Sequence, residues 1–153
     1  GDHAGAIGKL KAATGAQVFA SQLEADAIRA GNPSRPLKPR GIQRPVYALT
    51  KLMMPAVKNP VDVIVTHGEI LPIMDGLEII HTPGHTPGHT SYYIRQKQIL
   101  FAGDSIWLAS NRLKAMMSEA NTWDSALAVQ SFDMQMSLNP KIIAAGHFLF
   151  KSG

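Results

Sequence analysis

The sequence predicts a mixed α/β (α+β) fold in which helices cover sheets. Three observations lead to that class. Helix-type and strand-type segments alternate along the whole chain. No apolar run approaches the about 18 residues of a membrane span. The 153 residues, 45% hydrophobic and 17% charged, can bury roughly two thirds of the unfolded surface and are too apolar for a disordered chain. With neither an internal repeat nor a linker in view, residues 1–153 read as a single domain.

The elements follow from local chemistry. A helical stretch opens at Asp2-His3-Ala4-Gly5 and runs to about Ala13, with Thr14-Gly15 as its stop, and a short strand covers Gln17 to Ala20. Ser21 is an N-cap for a helix over Gln22–Ala30, with Glu24 and Asp26 where the helix dipole favours acids, and Gly31-Asn32-Pro33 ends it. Val61 to Val65 is a short β-branched run, Asp75-Gly76 a hairpin-type turn, and strands are expected at Leu77–Thr82, Thr90–Arg95 and Ile99–Ala102. Thr122 is expected to cap a helix over Trp123–Leu138, with Trp123, Leu127, Met134 and Leu138 on its inward stripe. Asn139-Pro140 stops it, and Lys141–Ala145 reads as a buried strand delivering Gly146-His147.

Charge is unevenly distributed. Between Ala27 and Val61 lie seven basic residues and no acid, so the net charge of +4 is a +7 segment on a −3 remainder. Six of the ten prolines fall in the same stretch. It reads as an irregular basic excursion over about 31–60, with one helix near Tyr47–Met54. Such a segment is either a solvated loop or a contact for an anionic partner.

Cysteine is absent, which excludes a disulfide scaffold, a thiolate nucleophile and thiolate metal ligands. A metal would have to be held by carboxylates and the six histidines. His81, His85 and His89 recur every four residues, but Pro83-Gly84 and Pro87-Gly88 forbid the helix that would align them. They therefore lie on a loop between strands. Asp2-His3 precedes a helix, His85 sits in that Pro-Gly loop, and Asp104 and His147 each follow an apolar strand and a glycine. Residues just past strand ends converge on a cleft at the sheet edge. Three imidazoles and two carboxylates there suit a borderline divalent ion such as zinc.

These motifs, Asp2-His3-Ala4-Gly5, His81-Thr82-Pro83-Gly84-His85-Thr86-Pro87-Gly88-His89, Phe101-Ala102-Gly103-Asp104 and Ala145-Gly146-His147, come in the order and at the spacing of the metallo-β-lactamase-fold hydrolases, which the chain resembles over nearly its whole length. The resemblance implies a four-layer αββα sandwich with the N-terminal part of the first sheet missing. It also implies a truncation within the family's HxHxDH motif, of which Asp2 and His3 are the last two residues, and the opening Gly1-Asp2-His3 itself carries no initiator Met, charged leader or signal-type apolar core. As metal ligands it implies Asp2, His3, His85, Asp104 and His147, with Asp104 bridging two zinc ions, or iron or manganese in their place. His81 and His89 fall outside that set and take turn, packing or supporting roles, and His67 is left unassigned.

By the same resemblance, the reaction is attack of a metal-bridged hydroxide on an ester, thioester, lactone or phosphoester, with Asp2 and Asp104 as catalytic residues. An Asp at position 104 matches the glyoxalase II-like thioesterases, lactonases and nucleases better than the familiar β-lactamases, which carry Cys there. Activity is expected of the full-length form, with residues 1–153 alone weak or inactive; an iron-dependent oxidoreductase on this fold and a non-catalytic truncated remnant are the competing readings. The expected partner is a small, anionic substrate, with a homo-oligomer allowed, no membrane, and a cytoplasmic location. Nucleic acid is not expected, because the basic segment lacks interleaved aromatics.

Overall fold

The computed structural model describes residues 4–35, 44–45, 48–49, 57–110, 112–117 and 121–151. The chain forms two compact units, Gly1–Ile64 and Val65–Gly153.

In the first unit, α1 (Ile7–Thr14) starts later than expected, after a turn over 4–6, and ends at Gly15 in the left-handed conformation. Strand β1 is only Phe19–Ala20. Helix α2 (Gln22–Ala30) has the expected limits, with Ser21 Oγ accepting from the Glu24 amide and a left-handed Gly31 closing it. Strand β2 (Val63–Ile64) runs parallel to β1. Ala20, Ala25 and Val61 form the unit's core with Val18, Ile28 and Ile64 against them. The buried Asn59 side chain donates to Ala4 O and accepts from the Gly8 amide, fixing the start of α1. Most of the basic excursion lies outside the described residues, including all but Ala48 and Leu49 of the helix expected at Tyr47–Met54; those two are helical.

The second unit is a six-stranded sheet made of β3 (Ile70–Leu71), β4 (Leu77–His81), β5 (Thr90–Ile94), β6 (Ile99–Gly103), β9 (Ile142–Ala145) and β10 (Leu149–Lys151), in the order β10-β9-β6-β5-β4-β3. Between β6 and β9 the chain makes a separate hairpin, β7 (Ile106–Ala109) and β8 (Arg112–Ala115), and then helix α3 (Ser125–Ser137). All neighbours in the large sheet are antiparallel except β6 and β9, which are parallel. A parallel pair requires a crossover, and the stretch containing α3 supplies it. Tyr93, Leu100, Ile143 and Phe150 lie on one rung across four strands, and the core gathers around them with Phe132, Met134, Met136 and Leu138 packed on it.

Two expectations about α3 are corrected. Its cap is Asp124, whose Oδ1 accepts from the Leu127 amide, whereas Thr122 Oγ1 donates to Met116 O. Asp124 has the extended backbone an N-cap needs and a carboxylate suited to the helix N-terminus. The buried positions are Ala128, Ser131 and Gln135, while Trp123 is 39% exposed. Strands β3 and β10 and the β7–β8 hairpin were not expected, being two to four residues long. Among the described residues, no helix is long and apolar enough to cross a membrane.

Candidate metal centre

The loop between β4 and β5 carries His85 and is fastened to the N-terminal end of α3. Gly84 O accepts from the amides of Trp123 (2.8 Å) and Asp124 (3.0 Å), and Pro83 O accepts from Ser131 Oγ at 2.7 Å. Gly84 has φ +146°, and a Cβ there would lie 2.4 Å from Ala128 Cα. Only glycine lets the loop approach the helix backbone this closely. His85 thus sits on a loop bonded to α3, its side chain 16% exposed.

Asp104 and His147 are brought together by the one parallel pairing in the sheet. Gly103 is in register with Ala145, and the Gly146 amide donates to Gly103 O at 2.7 Å. The next residues along both strands therefore leave the sheet side by side at its carboxyl edge, the place where open α/β sheets build sites. The 145–148 turn closes with the Ala145 amide donating to Phe148 O.

Asp104, its side chain 11% exposed, sits between two imidazoles: Oδ2 is 3.5 Å from His85 Nε2, and Oδ1 is 3.5 Å from His147 Nε2. That spacing exceeds the about 2.7–2.9 Å of a charge-assisted hydrogen bond. It matches two donors sharing one tetrahedral ion, since bonds of about 2.0–2.1 Å set neighbouring ligand atoms about 3.4 Å apart. One carboxylate oxygen faces each imidazole. The donor set fits zinc or a similar first-row ion. Among the described residues, no three His, Asp or Glu side chains form a cage for a single ion; the trio is two donor pairs sharing Asp104.

Of the five expected ligands, three come together, and Asp2 and His3 lie outside the described residues. His89, set apart from the ligands by the resemblance, has its Nε2 3.2 Å from the Asp104 amide, which donates to it, and its Nδ1 2.7 Å from Thr82 Oγ1. His81 ends β4, and its amide donates to His67 Nδ1 at 3.2 Å, the two rings lying 6.0 Å apart. Sequence reasoning missed Trp107, 42% exposed on β7 with its ring 6.1 Å from that of His147. It also missed the fully buried Gln135, whose Oε1 accepts from Ser91 and Ser105. Trp107 stands three residues past Asp104, which is a usable signal; Gln135 had none but the small Ala128 and Ser131 on its own helix face.

A model of the metallo-beta-lactamase superfamily matches residues 1–147. No functionally curated protein matches by sequence. Among solved structures, the chain is similar to the B3 metallo-beta-lactamase BLEG-1, with a TM-score of 0.71 and 22% identity over 97% of this chain and 66% of that one. It is similar to TTHA1623 in a di-iron-bound form, with a TM-score of 0.68 and 22% identity over 97% and 66%. It is also similar to the family protein TTHA1429 from Thermus thermophilus, with a TM-score of 0.65 and 24% identity over 95% and 51%. The chain thus spans 66% of the length of the first two and 51% of the third. With nearly its whole length matched and its fold shared by several independent structures, the chain belongs to the metallo-beta-lactamase superfamily.

Proposed function

We propose that the protein is a metal-dependent hydrolase of an ester, thioester, lactone or phosphoester, with His85, Asp104 and His147 as ligands of a two-zinc centre and Asp2 and His3 as further ligands. The observation that carries this reading is the placement of Asp104, one oxygen facing each of two imidazoles at 3.5 Å. His85, Asp104 and His147 would hold divalent ions, whose chemistry when bound would be to lower the pKa of a bound water to about 7 and to polarise the scissile group.

The chain's own residues do the rest. Asp104, nearly buried, offers both oxygens in a setting where charge is weakly screened. His85 stays in place because its loop is bonded to α3. Trp107 beside His147 gives the substrate an apolar wall, and Asp2 is assigned the proton of the attacking water. The basic excursion favours an anionic substrate.

A second reading, an iron-dependent oxidoreductase on the same fold, is favoured by the di-iron-bound form of TTHA1623. The test is metal analysis of the purified full-length protein, with turnover of generic thioester, lactone and phosphodiester substrates. Zinc with hydrolysis is expected, and His85→Ala and Asp104→Ala each lower turnover by about 100-fold or more, by analogy with the loss on altering a metal site. His67→Ala is expected to be nearly silent. Full turnover in the Asp104→Ala protein would overturn the reading, as would iron without hydrolysis or metal uptake without any turnover.

A further inference from the structure

We propose that His89 is a positioning residue for Asp104: its imidazole clamps the Asp104 backbone so that the carboxylate presents one oxygen to each of His85 and His147. The proposal rests on the metal-centre reading above and adds a specific role to a histidine outside the ligand set.

Proton bookkeeping along the network fixes its direction. A peptide N–H can only donate, so His89 Nε2, 3.2 Å from the Asp104 amide, carries the lone pair. In the neutral ring the hydrogen is then on Nδ1, which donates to Thr82 Oγ1 at 2.7 Å. The Thr82 hydroxyl is left to donate to Ser91 Oγ at 2.9 Å. Ser91 in turn reaches Gln135 Oε1 at 3.1 Å and Ala102 O at 3.3 Å. The amide orientation of Gln135 is set by its Nε2 donating to Ser131 O at 2.9 Å, and Ser131 Oγ donates to Pro83 O, next to the Gly84 that anchors the His85 loop. The chain of bonds therefore links the turn that carries Asp104 to the loop that carries His85. Thr82, Ser91 and Gln135 are fully buried, so these bonds compete with no water.

An independent observation concerns the space beside the ring. Gly103 has φ +54°, and a Cβ there would lie 2.9 Å from His89 Nε2 and 3.2 Å from Cε1. The residue just before Asp104 is thus one that leaves room for the imidazole. Both ring nitrogens face protein partners, so His89 acts through Asp104 and not as a ligand.

The test compares two substitutions that each retain half of the imidazole. The side-chain oxygen in His89→Gln extends far enough to accept from the Asp104 amide, as Nε2 does; the shorter side chain in His89→Asn keeps only the link to Thr82. Zinc affinity is measured by chelator competition, with thermal unfolding as the control for folding. The expected result is affinity within about threefold of the parent for His89→Gln, and a loss of about 10–100-fold for His89→Asn, with both proteins folded. Equal affinities for the two variants would overturn the proposal. A metal-free readout stands beside it: imidazole 15N NMR of the parent chain is expected to show His89 as the Nδ1–H tautomer with Nε2 coupled to the Asp104 amide. An Nε2–H tautomer would overturn the proposal even if the variants failed to fold. If the parent binds no zinc, the metal-centre reading fails on its own, and the tautomer still decides the role of His89.

Discussion

Gln135 illustrates why single residues in this protein cannot be judged from their neighbours in sequence. A glutamine near the end of a helix normally faces water, yet this one is fully buried, because Ser91 and Ser105 from two different strand ends both bring hydroxyls to its Oε1. Replacing it by leucine keeps the volume roughly constant and removes this acceptor, leaving the two hydroxyls only Ala102 O to share. Gln135→Leu is expected to destabilise the fold by about 1–3 kcal/mol in all, read as a lower denaturant midpoint with an unchanged slope. Stability equal to that of the parent would show that the network contributes nothing. By contrast, His85, Asp104 and His147 stood out in the sequence as candidates, since a polar residue after an apolar strand or in a Pro-Gly loop has few structural reasons to be there.

At the scale of elements, α2 was predicted to the residue because both of its ends are chemical: a serine that caps and a glycine that tolerates a left-handed backbone. Helix α3 was found, but its cap shifted to Asp124 and its inward face was assigned only in part: Met134 and Leu138 pack on the core, whereas the buried positions Ala128, Ser131 and Gln135 were missed, because the loop bearing His85 requires small residues where it touches the helix. The β7–β8 hairpin escaped notice because four-residue strands carry too little periodicity. In the first unit, Asp62 joins α1 to the strand pair, accepting from Lys11 Nζ and from the Val18 amide. The bond from Lys11, then that from Val18, hold its carboxyl below the usual 3.8. A depressed carboxyl stabilises the fold above its unfolded pKa, and the contribution disappears as pH falls through the lower folded value. Protection of the Val18 amide from hydrogen exchange is therefore expected to decline below about pH 4, and an Asp62→Asn variant is expected to lack that acid limb. An identical profile in the variant would remove Asp62 as the cause. Asp62 is solvent-exposed, so added salt is expected to shrink the effect.

For the molecule as a whole, the proposed centre links metal binding to folding. A ligand that binds only the native state at one hundred times its dissociation constant adds about 2.7 kcal/mol. At about 2–4 °C per kcal/mol for a chain of this size, zinc is expected to raise the thermal midpoint by about 5–11 °C, and a chelator to reverse the rise. Asp104→Ala is expected to abolish the zinc-dependent part, and a full rise in that variant would place the stabilising metal elsewhere. The sequence by itself determined the mixed helix and strand class, the family, the limits of α2 and the residues worth suspecting, because those depend on capping, on β-branched runs and on Pro-Gly punctuation, all of which act over a few bonds. Only the tertiary structure decided that Asp104 stands between His85 and His147 and that His89 and Gln135 stand behind it. Those arrangements depend on the parallel pairing of β6 with β9 across some forty residues of intervening chain, and no local preference encodes which strand ends come to lie side by side.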